Sequence, residues 1–243
     1  MIKNNYDAYD AFIVIHGTDT LAYTASMLSF VLENLTKPVI LTGSQIPILE
    51  LKNDAFDNFL GSLLIGSQYL IPEVMIFFGN KLIRGNRAKK VSTGDILAFD
   101  SPSYGLLGEV GVNFVIHWKR IIYGRGYEGE LNVFKDLNDE ISTININPCI
   151  NLKVVESILS NSKAVIVQAY GMGNIPTKNV KLMNMLSEAI NNDVIIVIMT
   201  QCAQGGVNDL YETGRYLVDL GAVLAFDMTF ECVTAKLSYL MGK

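Results

Sequence analysis

The sequence contains few of the residues that usually hold metal ions or form disulfides. It has two histidines and three cysteines, and none of them stands at metal-ligand spacing. They are His16, His117, Cys149, Cys202 and Cys232. We therefore expect no histidine-rich metal site and no metal or other cofactor. The odd number of cysteines, with no apolar signal segment in residues 1–10, indicates reduced thiols and a cytoplasmic protein.

Long apolar runs and basic clusters are also missing. Mean hydropathy is +0.30, but each apolar run ends at a polar or turn residue well before the about 20 residues that a membrane span requires. The only adjacent basic residues are Lys89–Lys90 and Lys119–Arg120, and the net charge is −5. We therefore expect neither a membrane nor a nucleic acid as a partner.

The remaining composition is typical of a globular protein with a large core. Half of the 243 residues are hydrophobic and only 18% are charged, which excludes a disordered chain and a coiled coil. Six short apolar runs alternate with segments of helical period, and this pattern predicts βαβ units with parallel sheets. The predicted strands are 11–15, 38–42, 73–78, 164–168, 194–199 and 222–226, and the predicted helices are 20–35, 53–70, 180–190 and 208–220.

The alternation fails between Trp118 and Asn145, where glycines precede the charged run Lys135–Glu140. We interpret 123–145 as a linker, with room for a short β-excursion, between a first α/β domain at 1–122 and a second at 146–243. Both sheets are expected to be of the flavodoxin or Rossmann kind. Ligands of such open sheets bind beyond the carboxyl ends of the strands, so the residues that follow each strand form the candidate site.

The segment His16–Thr20 follows the first predicted strand and opens a helix. Gly17 permits a tight turn, and the three residues after it then lie at a helix N-terminus, where free N–H groups and the positive dipole end favour anionic groups. The simpler interpretation is an N-cap, because Thr and Asp are common at that position. Both can hold, since one side chain can cap while others face the crevice.

A basic segment, Arg84–Lys90, follows the third predicted strand. As an isolated loop it is most simply solvated. The functional interpretation is that one lysine turns inward beside a carboxylate. Burial disfavours the ammonium and the carboxylate favours it, so such a lysine can exchange protons with a hydroxyl. Asp19 lies 71 positions before Lys90, so only the fold can bring the two together.

Two further segments combine glycine with polar residues. Thr42–Pro47, which contains Ser44, suits either a loop or the wall of a ligand site. The Asn53 or Asp54 that follows is most simply the cap of the next helix. Tyr170–Asn174 either turns the chain or cradles a ligand, and its Gly-Met-Gly pattern is too weak to indicate a phosphate site.

Taken together, these segments resemble the L-asparaginases, and specifically the type I cytoplasmic branch. The match follows the order of the chain over nearly its whole length. The segments are His16-Gly17-Thr18-Asp19-Thr20, Thr42-Gly43-Ser44-Gln45-Ile46-Pro47, Arg84-Gly85-Asn86-Arg87 with Lys90, Tyr170-Gly171-Met172-Gly173-Asn174 and Thr200-Gln201-Cys202. The first and third of them are specific in combination.

The resemblance implies hydrolysis of the side-chain amide of L-asparagine to L-aspartate and ammonia by a homodimer or homotetramer. In the implied catalytic set, Thr18 positions or activates the attacking hydroxyl or water. Asp19 binds the substrate ammonium and orients Lys90, which relays the proton. The implied substrate-binding residues are Gly17, Thr18, Asp19, Ser44 and Asn174, the last from a neighbouring subunit.

The family carries several tens of residues before the His-Gly-Thr-Asp-Thr strand, including a Gly-rich turn with its usual nucleophilic threonine. Only ten residues precede Ala11 here, so the resemblance implies a first domain truncated at its N-terminus and leaves open whether this chain alone is active or an inactive fragment. Three explanations stay open. The assigned start is too late or follows a frameshift, which we favour; a separate chain supplies the missing part; or the protein is a decayed remnant.

Gln168, Thr200 and Cys202 correspond to a second, allosteric asparagine site of the type I branch. Thr200 and Cys202 match that site, but Gln168 stands where the branch can carry an arginine. Because a guanidinium clamps a carboxylate through two hydrogen bonds, its loss weakens the case for allosteric control.

Other functions stay open on the sequence alone. The chain could be a catalytically dead amino-acid-binding or subunit-interaction protein, as a missing nucleophile would favour. It also resembles the amidase subunit of an archaeal-type tRNA-dependent amidotransferase, although that protein has an extra N-terminal domain and the low basic content here offers no surface for tRNA. A flavodoxin-like nucleotide binder is disfavoured, because no Gly-rich loop follows the first strand.

Overall fold

The computed structural model describes residues 1–123, 129–208 and 212–243. Its contacts divide the chain into two compact units, Met1–Asp136 and Leu137–Lys243, and this division falls inside the segment 123–145 that we interpreted as a linker. Residues 124–128 of that linker and residues 209–211 of the fourth predicted helix lie outside the described residues. No helix in the described ranges has the length and apolar character needed to cross a bilayer.

The first unit contains a six-stranded mixed sheet and two helices. Its strands are β1 (Phe12–Ile15), β2 (Leu32–Glu33), β3 (Val39–Thr42), β4 (Val74–Phe78), β5 (Lys81–Arg84), β6 (Lys89–Lys90), β7 (Phe99–Asp100), β8 (Gly108–Val110), β9 (Phe114–Ile116) and β10 (Asn132–Val133), and its helices are α1 (Leu21–Val31) and α2 (Ala55–Gln68). The sheet order is β1-β3-β4-β5-β8-β9, and the short strands form two pairs, β10-β2 and β6-β7.

Half of this sheet differs from the prediction. β1, β3 and β4 are parallel, as predicted, but β5, β8 and β9 continue the sheet in antiparallel fashion. Gly79 and Asn80, with φ of 55° and 64°, join β4 to β5 in a two-residue hairpin turn. Turns with two positive φ angles match the twist of a hairpin, which explains the reversal of direction.

The second unit contains a parallel sheet of order β11-β12-β13-β14. Its strands are β11 (Ile141–Asn145), β12 (Ala164–Ala169), β13 (Ile195–Thr200) and β14 (Val223–Leu224), and its helices are α3 (Leu152–Ser160), α4 (Val180–Asn191), α5 (Glu212–Asp219) and α6 (Phe230–Gly242). Residues of α3, α4 and α5 form the core on one face of the sheet, and residues of α6 form the core on the other. β12 and β13 are apolar except for Gln168 and Thr200 near their carboxyl ends, because both faces of the sheet are covered. The prediction of an α/β protein is confirmed, with a parallel second sheet and a first sheet that is parallel over β1, β3 and β4.

Several element ends differ from the predictions for identifiable reasons. α1 ends at Val31 and not at residue 35, because Leu32–Glu33 pairs with Asn132–Val133 as a short strand and Asn34 has a φ of 60°. The last predicted strand ends at Leu224, since Phe226 has a φ of 51° and turns the chain. β11 lies within the segment interpreted as a linker and pairs with β12 through all five of its residues.

Candidate active site

The ends of β1 and β3 lie side by side at one edge of the first sheet. Ile15 pairs with Thr42, and the His16 N–H donates to the Thr42 carbonyl at 2.8 Å. A Cβ on Gly43 would lie 2.3 Å from the His16 carbonyl oxygen. Only glycine therefore fits at position 43, and Ser44 follows directly beside the turn that begins at His16.

The His16 imidazole holds that turn against α1. Its Nδ1 lies 2.7 Å from the Gly17 carbonyl oxygen, and its Nε2 lies 3.0 Å from Thr24 Oγ1. A carbonyl can only accept, so Nδ1 carries the proton, and in the neutral ring Nε2 accepts from the Thr24 hydroxyl. The imidazole therefore joins the residue before Thr18 to the first turn of α1.

The prediction that a side chain of the segment His16–Thr20 caps α1 is wrong. Thr20 occupies the N-cap position of α1, but its side chain makes no capping hydrogen bond to any described residue. Thr18 and Asp19 instead interact with Lys90. The start of α1 still carries the positive end of the helix dipole, which favours a negatively charged group there.

The residues Gly85–Arg87 form a 3-10 turn that carries the chain from β5 to β6 and so delivers Lys90. Ser26 of α1 donates to the Gly85 carbonyl at 3.3 Å. A Cβ at Gly85 would lie 2.9 Å from the carbonyl oxygens of Ala25 and Val74 and from Ser29 Oγ. The turn therefore packs directly against the backbone of α1, the helix that begins at the Thr18–Asp19 segment.

Arg84 anchors the start of this turn and is buried, so the solvated interpretation is wrong for this residue. Its Nη2 donates to Glu73 Oε1 at 2.9 Å and its Nε donates to Glu73 Oε2. Glu73 also accepts from the Ile122 N–H at 2.7 Å. Burial by itself lowers the pKa of Arg84, but the hydrogen bonds and the charge of Glu73 raise it above its ordinary value. Two hydrogen bonds therefore join Arg84 to Glu73 in the interior of the first unit.

Lys90 contacts the other two residues of the catalytic set that the resemblance implied. Its ammonium donates to Thr18 Oγ1 at 2.9 Å and to Asp19 Oδ1 at 2.8 Å. The Lys90 side chain is 20% exposed, whereas that of Asp19 is 94% exposed. The hydrogen bond from Lys90 and its positive charge hold the pKa of the Asp19 carboxyl below its ordinary value. One ammonium thus contacts both a hydroxyl and an ionised carboxylate that faces solvent.

A hydrogen-bond network fixes the loop that contains Ser44. Asp54 accepts from the Gln45 N–H at 3.0 Å and from the Ile46 N–H at 2.9 Å. Asn58 donates to Asp54 at 3.1 Å and to the Gly43 carbonyl at 3.0 Å. Asp54 occupies the N-cap position of α2, as predicted, but its carboxylate binds this loop and not the helix N–H groups.

The same loop is tied to the segment that follows Lys90. Gln45 Nε2 donates to the carbonyl oxygens of Thr93 and Asp95, each at 3.2 Å. These supporting roles, and those of His16 and Gly43, were not found from the sequence. The partners of these supporting residues lie between 1 and 50 positions away in the chain. No local sequence pattern predicted these contacts.

The remaining candidate residues lie in the second unit. Asn174 closes a tight turn in which its backbone exchanges two hydrogen bonds with Tyr170. Gln168 is the next-to-last residue of β12, and its Oε1 accepts from Asn145 Nδ2 at 3.3 Å. Thr200 ends β13, and its hydroxyl accepts from the N–H of the exposed Cys202 at 3.0 Å. Gln168 and Thr200 thus lie at the carboxyl edge of the second sheet.

Two family models match the chain. The model "Asparaginase, N-terminal" matches residues 1–122, and the model "Glutaminase/Asparaginase C-terminal domain" matches residues 140–243. The chain belongs to the asparaginase family. The type I resemblance of the motifs is confirmed by the relatives: L-asparaginase 1 of Escherichia coli K12 is 43% identical over all of this chain and 71% of its own length.

A solved asparaginase structure shows the same fold. L-asparaginase I of Vibrio cholerae has a TM-score of 0.93 at 42% identity, over all of this chain and 73% of that one. The human 60 kDa lysophospholipase is also 43% identical, and this chain spans about 42% of its length. One component of the glutamyl-tRNA(Gln) amidotransferase of Thermococcus kodakarensis is similar at the lower identity of 28%, over 54% of its length.

Proposed function

We propose that this chain hydrolyses the side-chain amide of L-asparagine to L-aspartate and ammonia. The observation that carries the proposal is the position of the Lys90 ammonium, 2.9 Å from Thr18 Oγ1 and 2.8 Å from Asp19 Oδ1. A hydroxyl is a weak nucleophile, and a base within hydrogen-bond distance is what activates it. Membership of the asparaginase family supports the amide as the substrate group.

Lys90 moves the proton in this mechanism. Its ammonium first releases one proton to solvent water, and the resulting amine accepts the proton of the Thr18 hydroxyl or of a water bound to that hydroxyl. The oxygen so activated attacks the amide carbonyl carbon and forms a tetrahedral intermediate. Lys90 then returns the proton to the leaving nitrogen, and ammonia departs as the carbon–nitrogen bond breaks. If Thr18 is the attacking group, a water hydrolyses the resulting ester and releases aspartate.

Neighbouring groups in the first unit bind the substrate. The ionised, exposed carboxylate of Asp19 pairs with the substrate ammonium. Ser44 and the backbone at Gly17 line the same sheet edge and contact the rest of the amino acid. Backbone N–H groups near the start of α1 donate to the oxyanion of the intermediate.

We further propose a cytoplasmic homodimer or homotetramer in which Asn174 completes the site of a neighbouring subunit. The resemblance to type I enzymes supports this assembly. The three cysteines are free thiols, two of them exposed, which supports a reducing compartment.

The decisive experiment measures ammonia release from L-asparagine by the chain and by paired variants. Lys90→Met should lower turnover by about 10²–10⁴-fold, the usual contribution of a general acid–base group. Lys89→Met, at the adjacent lysine of β6, should leave it near the unsubstituted rate. Thr18→Val should likewise lower turnover steeply, and Thr20→Val, two residues away, should not.

Retained turnover in Lys90→Met would remove Lys90 from the mechanism. If the unsubstituted chain binds asparagine in a calorimetric titration but releases no ammonia, the amino-acid-binding alternative replaces the enzyme.

A further inference from the structure

A cavity of about 510 Å³ lies in the second unit between the carboxyl-terminal halves of α3 and α4. Glu156 and Leu159 line it from α3, and Met185, Glu188 and Ala189 line it from α4. Their spacing of three or four positions places each set on one face of its helix. Cavities that bind small molecules usually have volumes of about 300–1,000 Å³, so this cavity is large enough for an organic ligand.

The cavity lies at the opposite end of the second sheet from Gln168 and Thr200. Ser162 and Val194, which also line the cavity, stand one or two residues before β12 and β13 begin. Gln168 and Thr200 lie at the carboxyl ends of the same two strands. A six-residue strand is about 20 Å long. A small ligand in the cavity is therefore separate from every candidate residue described above.

The floor of the cavity is apolar. Four of its lining side chains belong to the core of the second unit or pack against that core. They are Leu159, Met185, Ala189 and Val194. An occupant with an apolar body would remove this floor from water, which is favourable.

The rim of the cavity is negatively charged. Glu156 and Glu188 are exposed, and neither carboxylate has an ion-pair or hydrogen-bond partner among the residues that the structure describes. The nearby Lys163 pairs with Glu140 at 2.5 Å. The described lining residues include no lysine, arginine or histidine. The cation that would balance the two carboxylates must therefore come from outside the cavity lining.

The ends of the two helices add to this negative potential. α3 ends at Ser160 and α4 ends at Asn191, so Glu156 and Glu188 each stand within the last five residues of a helix. The carboxyl end of a helix carries a partial negative charge, which a cation stabilises. Neither helix has a basic residue in its last turn. Both helices thus place an acidic side chain where a positive charge is favourable.

We propose that this cavity binds a small linear organic dication of the diamine class. Its two ammonium groups pair with Glu156 and Glu188, and its carbon chain covers the apolar floor. The axes of packed helices are about 8–10 Å apart, a width that a diamine of four or five carbons can cross.

The lining suits an organic cation better than a metal ion. Mg²⁺ and Ca²⁺ take six or more oxygen ligands, whereas the rim offers two carboxylates on an apolar floor. The described residues also contain no group of three or more histidine, cysteine or acidic side chains that could hold a metal ion.

Calorimetric titration of the full chain with 1,5-diaminopentane tests this inference without reading any enzyme activity. At pH 7 and low salt, the diamine should bind once per chain with a Kd in the millimolar range or below. n-Pentylamine keeps the carbon chain but has one charge. It should bind about fivefold more weakly, the upper value for one exposed ion pair. Addition of 0.5 M NaCl should weaken diamine binding, because salt screens exposed charges.

Paired variants test the two carboxylates. Glu156→Gln and Glu188→Gln should each weaken diamine binding about fivefold, because each removes one ion pair and keeps the shape of the side chain. Asp193→Asn is the matched control. Asp193 is exposed just after α4 and does not line the cavity, and asparagine tolerates its φ of 64°. This variant should change the affinity less than twofold, and all three should keep the circular dichroism spectrum of the unsubstituted chain.

Methyl NMR locates the bound diamine. The Met185 methyl signal should shift during the titration, and that of Met241, which packs on the other face of the sheet, should not. No binding to the unsubstituted chain, equal affinity for the diamine and n-pentylamine, or unchanged affinity in both glutamine variants would each overturn the proposal. Displacement of the diamine by equimolar MgCl₂ would overturn it too, since the site would then be an unspecific counter-ion surface.

Discussion

At the scale of residues, the site depends on one lysine whose ammonium donates hydrogen bonds to two oxygen atoms. Lys90 donates at 2.9 Å to a hydroxyl and at 2.8 Å to a carboxylate. Asp19 is almost fully exposed, so Lys90 and not burial determines its ionisation. The carboxylate keeps the ammonium in position and is itself exposed to solvent.

The Asp19 carboxyl should titrate below its ordinary value of 3.8. The pKa of Asp19 is lower in the folded than in the unfolded chain, so the ion pair stabilises the folded state at pH values above the unfolded pKa. This contribution is lost as the pH falls through the folded pKa. In Lys90→Met the Asp19 pKa should rise towards 3.8. Carboxyl chemical shifts measured by NMR between pH 2 and 6 check both statements.

Glu140 supplies the internal control for this titration. Hydrogen bonds from Lys163 and Asn138 and the charge of Lys163 also hold its pKa below the ordinary value. Lys90→Met should leave the Glu140 titration unchanged. An Asp19 titration that does not move in Lys90→Met would show that the ion pair does not form in solution.

At the scale of elements, the turn Gly85–Arg87 links α1 to the lysine strand β6. Gly85→Ala would place a methyl group 2.9 Å from backbone oxygens of Ala25 and Val74, and overpacking of this kind costs about 1–3 kcal/mol. We expect a loss of that size in urea unfolding and a reduced rate of ammonia release, because the turn and Lys90 must shift together.

Gly94→Ala is the matched control for the turn. A Cβ at Gly94 meets no described atom within 4 Å, so this variant should keep both stability and turnover. Equal behaviour of Gly85→Ala and Gly94→Ala would show that the turn does not pack tightly on α1.

The elements show how far sequence reasoning reaches. Buried parallel strands such as β12 and β13 are predictable, because burial on both faces requires continuous apolar runs. The antiparallel β5, β8 and β9 are three or four residues long and too short for a periodic pattern. The helices α3 and α6 were not predicted either. α3 is nine residues long and follows β11, which we had assigned to the linker.

The candidate site was likewise predictable from the sequence only in part. The motif resemblance predicted that Thr18, Asp19 and Lys90 meet, and the structure places them within hydrogen-bond distance. Their supports were not predictable, because His16, Gly85 and Asp54 act through packing and backbone contacts between segments. The roles assigned to Ser44, Asn174 and the residues of the second unit stay predictions.

At the scale of the whole molecule, burial predicts a gradient of local stability. β3 and β4 are buried throughout, whereas β1 at the edge of the same sheet is only half-buried and Ile15 is exposed. Hydrogen exchange measured by mass spectrometry should be slowest at 39–42, 74–78 and 164–169 and faster at 12–15 and 114–116. Exchange at 12–15 as slow as at 39–42 would contradict this gradient.

The distance in sequence between Asp19 and Lys90 also matters while the chain is being made. The two residues are 71 positions apart, and β3, α2, β4 and β5 lie between them in the chain. At about 5–20 residues per second, a ribosome exposes Asp19 several seconds or more before it adds Lys90. A nascent chain therefore holds the Asp19 carboxylate without its Lys90 partner for that time.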